Sequence, residues 1–186
     1  MRLKGVDFDI TFRRLEEGAK IKPFENSKKR YVEFLFEDAE NYLKQNLAVT
    51  YLFESETHTI AYFCIANDCI ISDINRNNMS AFEKTIWNKI NRKVPFLKQK
   101  NYYPSVKIGQ LAVATNYEGI GIGRVIIDAV VSMYRDEVQK AGCRFVTVDS
   151  EVDVTEFYIK NGFQFLTDKD EHKNHRAMCL DLKAAI

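Results

Sequence analysis

The chain has 186 residues, of which 46% are hydrophobic, and its 27 basic residues nearly balance 26 acidic ones. This length and apolar content predict a single domain over residues 1–186 with a sizeable core. The formal net charge of +1 does not indicate a nucleic-acid or membrane field across the whole surface, and a local basic patch is left open. The N-terminus lacks the apolar core of a signal peptide, and no run reaches about 18 apolar residues, so we expect a cytoplasmic protein without a membrane span.

The cysteines and histidines are not spaced as metal ligands. The four cysteines are Cys64, Cys69, Cys143 and Cys179. They lie in apolar surroundings without C-x2-C spacing, so we expect reduced core thiols rather than a zinc site. His172 and His175 lie in a polar loop and are interpreted as exposed side chains. The sequence therefore predicts no metal ligand.

The first half of the chain predicts a strand, a helix, a hairpin and a further short helix. In order, the ranges are Val6–Phe12, Ser27–Leu43, the strand pair Val49–Phe53 and Thr59–Ala66, and Ala81–Ile90. The apolar stripe of the first helix comprises Val32, Leu35, Phe36, Ala39, Tyr42 and Leu43. Asn26 or Ser27 is its predicted N-cap. The short helix lies in a polar insertion, residues 67–104, for which acceptor choice and dimer contacts are both open roles.

The second half alternates strands and helices. In order, the predicted elements are the strand Ser105–Val113, the helix Gly121–Ala141, the strand Phe145–Val148, the short helix Thr155–Lys160, and the strands Phe163–Leu166 and Ala177–Leu182. A strand, a long helix and a strand in succession predict one parallel pair with a right-handed crossover. The hairpins on either side predict antiparallel neighbours. We therefore predict an α/β fold with a mixed, mostly antiparallel sheet of six to seven strands and helices on both faces.

Three glycines, Gly119, Gly121 and Gly123, separate a strand from a long helix. A helix start offers unpaired N–H donors and a partial positive charge, and glycine lets a ligand approach the backbone, so the segment predicts a phosphate-bearing ligand. A P-loop is excluded because Arg124 and Val125 follow instead of Lys-Ser/Thr. The dinucleotide-binding pattern also fails, since its third glycine falls on Arg124 and too few residues remain for a doubly wound sheet.

Two segments resemble the GNAT superfamily of acyl-CoA-dependent N-acyltransferases. The family's strand end Leu-x-Val and turn Gln/Arg-x-x-Gly-x-Gly/Ala are similar to Leu111–Val113 and Glu118–Gly123. Its Phe-Tyr-x-x-x-Gly-Phe motif is similar to Phe157–Phe163. The resemblance covers about residues 48–183. It implies a sheet that is splayed at its parallel pair, as in the GNAT fold.

The resemblance also implies acetyl-CoA as co-substrate. The strand-end residues Leu111, Ala112 and Val113 are implied to bind pantetheine through backbone groups, with an N–H near Val113 polarising the thioester carbonyl. The turn residues implied to bind the pyrophosphate are Glu118, Gly119, Ile120, Gly121, Ile122, Gly123 and Arg124. Glu118 departs from the family's Gln or Arg. Its charge costs about 1 kcal/mol beside a pyrophosphate unless it points away or Arg124 offsets it.

In the family's usual mechanism a primary amine attacks the thioester directly in a ternary complex. Tyr158, by its place in the Phe-Tyr motif, is the implied general acid, because a phenol with a pKa near 10 is protonated at neutral pH. The general base is open. Gln110 cannot titrate, whereas Glu151, Asp153 and a water relay are alternatives. The aromatic residues Phe96, Tyr102 and Tyr103 line an acceptor pocket in one interpretation and anchor the insertion to the core in another.

The resemblance implies that the acceptor is an amine of a small molecule, a peptide or an aminoacyl-tRNA, and a homodimer is an open alternative. A toxin-like subgroup of the family acetylates aminoacyl-tRNA, and this chain resembles it in its helix-rich start and in Ala141-Gly142-Cys143. The low net charge argues against tRNA. A non-catalytic acyl-CoA-binding module is a second class, which the Glu118 departure and the missing base favour. A purely structural domain leaves the glycine turn without a purpose.

Overall fold

The structure is a computed structural model that describes residues 9–71, 80, 81, 84, 85, 88, 102–135 and 141–184. Its strands are β1 (Thr11–Arg14), β2 (Val49–Glu54), β3 (Thr59–Ile71), β4 (Tyr102–Val113), β5 (Phe145–Glu151), β6 (Gln164–Phe165) and β7 (His175–Asp181). Its α-helices are α1 (Lys29–Glu33), α2 (Ala39–Lys44), α3 (Ile122–Arg135) and α4 (Thr155–Lys160). A π-helical segment, Phe34–Asp38, joins α1 to α2, and 3₁₀ turns occupy Thr115–Tyr117 and Val152–Val154.

The strands form one seven-stranded sheet in the order β1-β2-β3-β4-β5-β7-β6. Antiparallel pairing joins β1 to β2, β2 to β3, β5 to β7 and β6 to β7. The pair β4 and β5 is parallel, and its crossover carries α3. The predicted fold class, a mixed and mostly antiparallel sheet with one parallel pair, is therefore confirmed.

The chain divides into two compact units. The first comprises Met1–Asn67 with Ile108–Met133, and the second comprises Asp68–Lys107 with Tyr134–Ile186. The single domain over residues 1–186 stays a prediction. The predicted helix Ala81–Ile90 lies largely outside the described residues, as does most of the insertion.

Tyr62 of β3 is the centre of the core of the first unit. Its ring is fully buried and stacks on Phe34 with centroids 6.1 Å apart, while Phe24 meets it edge to face at 5.3 Å. Its hydroxyl donates to the Tyr31 carbonyl at 2.7 Å. The helix before β2 is thus fixed to the sheet by packing and by one buried hydrogen bond.

The π-helical segment changes which face of the first helix is buried. The predicted stripe included Phe36 and Tyr42, but their side chains are 47% and 42% exposed, whereas Phe34 is 8% exposed. A π turn holds one more residue than the α-helical spacing allows, so the buried face moves to Phe34 and Leu35 before returning at Ala39. This part of the predicted stripe was therefore wrong.

The second unit has its own apolar cluster, formed by Ile70, Tyr103, Phe145 and Cys179. Tyr103 meets Phe145 edge to face with centroids 6.0 Å apart. Beside this cluster, the Thr147 hydroxyl donates to the Asp68 carboxylate at 2.6 Å. These contacts hold the distal half of β3 in the sheet, beyond the predicted strand end at Ala66.

The part of the chain that the structure describes has neither a bilayer-spanning helix nor a cluster of metal ligands. No described helix combines the length and apolar character needed to cross a membrane. No group of three or more His, Cys, Asp or Glu side chains among the same residues is placed to hold a metal ion. That the protein binds no metal stays a prediction.

Candidate functional site

In the first unit, β4 ends where the resemblance places the thioester. Ala112 is buried, and Leu111 and Val113 are half-buried on either side of it. The next backbone N–H, that of Ala114, donates to the Ile60 carbonyl at 2.7 Å. The N–H of Tyr117 then donates to the Ala114 carbonyl at 2.8 Å, which turns the chain into the glycine segment.

The glycine turn requires glycine at two positions. Gly119 and Gly121 have φ angles of 77° and 91°, in the left-handed region that side chains disfavour. A Cβ built on either residue meets no atom within 4 Å, so the open space beside the backbone is accessible to a ligand. Gly123 lies inside α3, where its conformation does not demand glycine.

Helix α3 presents its N-terminus directly after the turn. Its first α-helical hydrogen bond runs from the Val125 N–H to the Gly121 carbonyl at 3.3 Å. The N–H groups of Ile122, Gly123 and Arg124 therefore have no acceptor within the helix. Such donors, together with the positive end of the helix dipole, bind phosphate oxygens. The turn fits the pyrophosphate of acetyl-CoA by this donor set.

The side chain of Glu118 lies toward Asn26. Its Oε1 is 3.4 Å from the Asn26 Nδ2, which also donates to the Val113 carbonyl at 2.7 Å. The Arg124 Nε lies 3.9 Å from the Asp128 carboxylate, and both side chains are exposed. The sequence left two ways to relieve the Glu118 charge: the side chain points away, or Arg124 offsets it. The structure directs the Glu118 carboxylate toward the amide of Asn26.

Asn26 is the residue that sequence reasoning assigned only to a cap. The predicted N-cap was wrong, because the cap residue of α1 is Lys28 and it makes no side-chain cap hydrogen bond. The Asn26 Oδ1 instead accepts from the Lys28 N–H at 2.8 Å, two residues on, in a turn that precedes the helix. Its contacts with Val113 and Glu118 join residues 87 and 92 positions away along the chain. No local pattern signals such contacts, so the structure was needed to find them.

In the second unit, Tyr158 is 6% exposed and its ring is held between two phenylalanines. Phe157 and Phe163 meet it edge to face, with centroids 5.0 and 5.2 Å away. The Phe163 N–H donates to the Tyr158 carbonyl at 3.0 Å, and Gly162 between them has a φ of 87°. The Phe-Tyr motif thus fixes the ring orientation through a glycine-terminated helix. Its acid role stays a prediction.

The alternatives for a general base do not converge on one residue. Glu151 ends β5 opposite His175 and is half-buried, whereas Asp153 is exposed in the 3₁₀ turn. In the first unit, Gln110 is half-buried on β4. No base is assigned.

The two described aromatic residues of this set begin β4, and their environments differ. Tyr103 belongs to the core of the second unit, which supports the anchoring interpretation, and Tyr102 is 52% exposed. Phe96 lies outside the described residues.

A protein-family model described as an acetyltransferase (GNAT) domain matches residues 75–181. That range is more than half of the chain and contains the glycine turn and the Phe-Tyr motif. No curated protein matches the chain in sequence.

Solved structures with the same fold include bacterial toxin-type proteins. A tyrosine-to-phenylalanine mutant of KacT has a TM-score of 0.75 at 19% identity, with 95% of this chain and 96% of that chain covered. AtaT complexed with acetyl-methionyl-tRNAfMet has a TM-score of 0.75 at 18% identity, with the same coverage. A mutant AtaT toxin bound to the C-terminus of the antitoxin AtaR and acetyl-CoA has a TM-score of 0.70 at 17% identity, with 95% and 96% covered. At these identities the likeness shows the fold.

Proposed function

Because the chain belongs to the GNAT acetyltransferase family, we propose that it transfers the acetyl group of acetyl-CoA to a primary amine by direct attack in a ternary complex. The predicted activity class, an acyl-CoA-dependent N-acyltransferase that uses acetyl-CoA, is confirmed by the family assignment. The observation that carries the proposal is the family match over residues 75–181, which includes both motifs.

The glycine turn supports the binding half of this proposal. Gly119 and Gly121 keep side chains away from the backbone, and the N–H groups of Ile122, Gly123 and Arg124 bind the pyrophosphate. The end of β4, Leu111 to Val113, binds the pantetheine arm through backbone groups. Because these donors belong to a rigid strand and a helix start, they need little reorganisation when the ligand binds.

Acetyl-CoA supplies the activated thioester carbon that a neutral amine attacks. The amine nitrogen forms the new C–N bond as the C–S bond breaks, and the sulfur leaves with the electron pair. By its place in the Phe-Tyr motif, Tyr158 is the proposed donor of the proton that the sulfur takes up. The amine releases its proton to water, and the Tyr158 phenolate regains a proton from water. Phe157 and Phe163 restrict the ring, so the phenol keeps one orientation through the step.

Replacing Tyr158 with phenylalanine tests the proposed acid. The ring and its packing are kept while the hydroxyl is lost, so we expect kcat to fall by roughly 100-fold or more with little change in acetyl-CoA affinity. The measurement is steady-state acetyl transfer together with calorimetric binding. Tyr42→Phe, on an exposed tyrosine of α2, is the matched control. If Tyr158→Phe turns over as fast as the wild type, the acid role is removed. If neither the wild type nor the variant turns over while both bind acetyl-CoA, a non-catalytic acyl-CoA-binding module is favoured.

The α-amine of an aminoacyl-tRNA is the second acceptor we propose. The observation that favours it is the fold likeness to AtaT, which was solved with acetyl-methionyl-tRNAfMet. An α-amine has a pKa near 8, well below the value near 10.4 of a lysine, so more of it is neutral without a side-chain base. An acceptor that is already neutral needs no side-chain base.

Acetylation of charged and uncharged tRNA separates the acceptors. If aminoacyl-tRNA is the substrate, radiolabelled acetyl from acetyl-CoA enters charged tRNA, spares uncharged tRNA, and does so more slowly as salt rises. Small amines and short peptides serve as competing acceptors in the same assay. Transfer to those amines with none to charged tRNA contradicts the tRNA proposal and leaves the N-acetyltransferase proposal intact.

A further inference from the structure

The Asn26 side chain contacts both parts of the chain to which acetyl-CoA binding is proposed. Its Nδ2 donates to the carbonyl of Val113 at the end of β4, at 2.7 Å. The same nitrogen lies 3.4 Å from Oε1 of Glu118, the first residue of the glycine motif. The amide thus directs its donors to the strand end and to the turn together.

The orientation of Asn26 is fixed from its own side. Its Oδ1 accepts from the Lys28 N–H at 2.8 Å, which determines where the nitrogen points. On either side, the Ser27 N–H donates to the Thr115 hydroxyl at 3.2 Å and the Thr115 N–H donates to the Glu25 carbonyl at 3.0 Å. These bonds attach the segment before α1 to the segment after β4. The backbone on both sides of Asn26 is therefore held in place beside the glycine turn.

A carboxylate beside the start of α3 competes with phosphate for the same N–H donors. We propose that Asn26 is a positioning residue of the acetyl-CoA site, whose amide fixes the Val113 carbonyl and keeps the Glu118 carboxylate away from the N–H groups that bind the pyrophosphate. This inference rests on the proposed function. It explains how a chain with Glu at a position where the family usually has Gln or Arg retains a usable phosphate site.

Asn26→Asp is the informative substitution. Aspartate keeps the shape and the acceptor for the Lys28 N–H, but it removes both amide hydrogens and faces Glu118 with a second carboxylate. We expect the calorimetric Kd for free CoA to rise about tenfold at low ionic strength, with a smaller loss at high salt. The KM for acetyl-CoA rises in parallel, while kcat changes less than about threefold.

Asn41→Asp is the matched control. Its Nδ2 donates to the Glu37 carbonyl at 2.8 Å, so the same substitution breaks a similar side-chain hydrogen bond, this one in α2. We expect its CoA affinity to equal that of the wild type. Circular dichroism and the urea midpoint of each variant confirm that the fold is kept.

Glu118→Gln provides the second arm. By itself it is not expected to tighten CoA binding, because Asn26 already holds the carboxylate away from the N–H donors. In the Asn26→Asp background it restores a donor–acceptor pair with reversed roles and returns the Kd to within about threefold of the wild type. A merely structural role for Asn26 produces no such rescue.

Each outcome decides a different statement. The inference is overturned if Asn26→Asp binds CoA as the wild type does, if the double variant keeps the full loss, or if Glu118→Gln alone tightens binding about tenfold. A wild-type protein that binds neither CoA nor acetyl-CoA overturns the proposed function and this inference together. If the wild type binds CoA and the Asn26 variants bind it with the same Kd, this inference alone is overturned.

Discussion

Gly121 combines a left-handed backbone with open space around its Cα. Its φ is 91° and a Cβ there meets nothing within 4 Å, so substitution by alanine costs backbone strain rather than a steric clash. We expect Gly121→Ala to lose about 1–2 kcal/mol of folding free energy and to weaken CoA binding, because the N–H groups after it shift. Urea unfolding and calorimetry measure the two effects.

Gly142→Ala is the control for that substitution. It also has no atom within 4 Å of a built Cβ, but its φ lies outside the left-handed region. It should leave both the urea midpoint and CoA binding unchanged. Equal losses in the two variants would show that the strain at Gly121 is not what matters.

The prediction of four core thiols was correct for Cys64 and Cys179 but wrong for Cys69, which is exposed, and for Cys143, which is half-buried. Burial raises the pKa of Cys64 to about 11 and that of Cys179 to about 12, whereas Cys69 is exposed. We expect iodoacetamide to modify Cys69 first in the native protein and to reach Cys64 and Cys179 only on denaturation. Peptide mass spectrometry over time measures the order. Early modification of Cys64 contradicts the described core, and Cys69→Ser should remove the fast phase.

At the scale of the element, one ion pair fastens the edge strand β1 to β2. The Arg13 guanidinium donates to both oxygens of Glu54, at 2.7 and 3.1 Å, and the Glu54 side chain is 3% exposed. Burial alone raises the pKa of Glu54, but the hydrogen bond and charge of Arg13 outweigh it and hold that pKa below its ordinary value.

This pair makes stability depend on pH. Since the pKa of Glu54 is lowered in the fold, its contribution is present above the unfolded pKa of about 4.3 and is lost as pH falls through the folded pKa. We expect Glu54→Gln to cost about 2 kcal/mol at pH 7, with the difference from wild type shrinking in acid. Urea unfolding at several pH values measures it. Glu33→Gln, which breaks an exposed pair with Lys29, should show no such trend.

Element types and their order were predictable from hydrophobic period and turn residues, and α4 was predicted with its observed ends, Thr155–Lys160. Strand ends were less predictable. β3 runs on to Ile71 through Asn67 and Asp68, residues that disfavour strands, because cross-strand contacts such as Thr147 with Asp68 outweigh local preference. The π-helical segment was missed because its buried face is set by tertiary packing on Tyr62.

The candidate site was predictable only where a motif is local. The glycine turn and the Phe-Tyr segment can each be recognised from a few consecutive residues. Asn26 could not be found, since its partners are 87 and 92 positions distant, and the direction of Glu118 depends on that contact. No local motif in the sequence identifies the acceptor amine.

At the scale of the whole molecule, the shift in melting temperature caused by a ligand tests whether the protein binds acetyl-CoA. A ligand that binds only the folded state at about a hundredfold over its Kd adds roughly 2.7 kcal/mol, which raises the melting temperature of a chain of this size by about 5–10 °C. We expect acetyl-CoA and CoA to give this shift in thermal unfolding. NAD is the control and should give none. A shift with NAD alone would withdraw the acetyl-CoA proposal.

The π-helical segment also makes this protein sensitive to chain length. Such a segment is equivalent to one residue inserted into an α-helix, and each α-helical residue turns the chain by about 100°. Deleting one residue between Phe34 and Asp38 restores the α-helical spacing, and we expect it to turn Lys29 by about 100° relative to Ala39. Asn26 lies three positions before Lys29. A one-residue deletion in this helix, far along the chain from the glycine turn, is therefore expected to change the contacts that Asn26 makes with Val113 and Glu118.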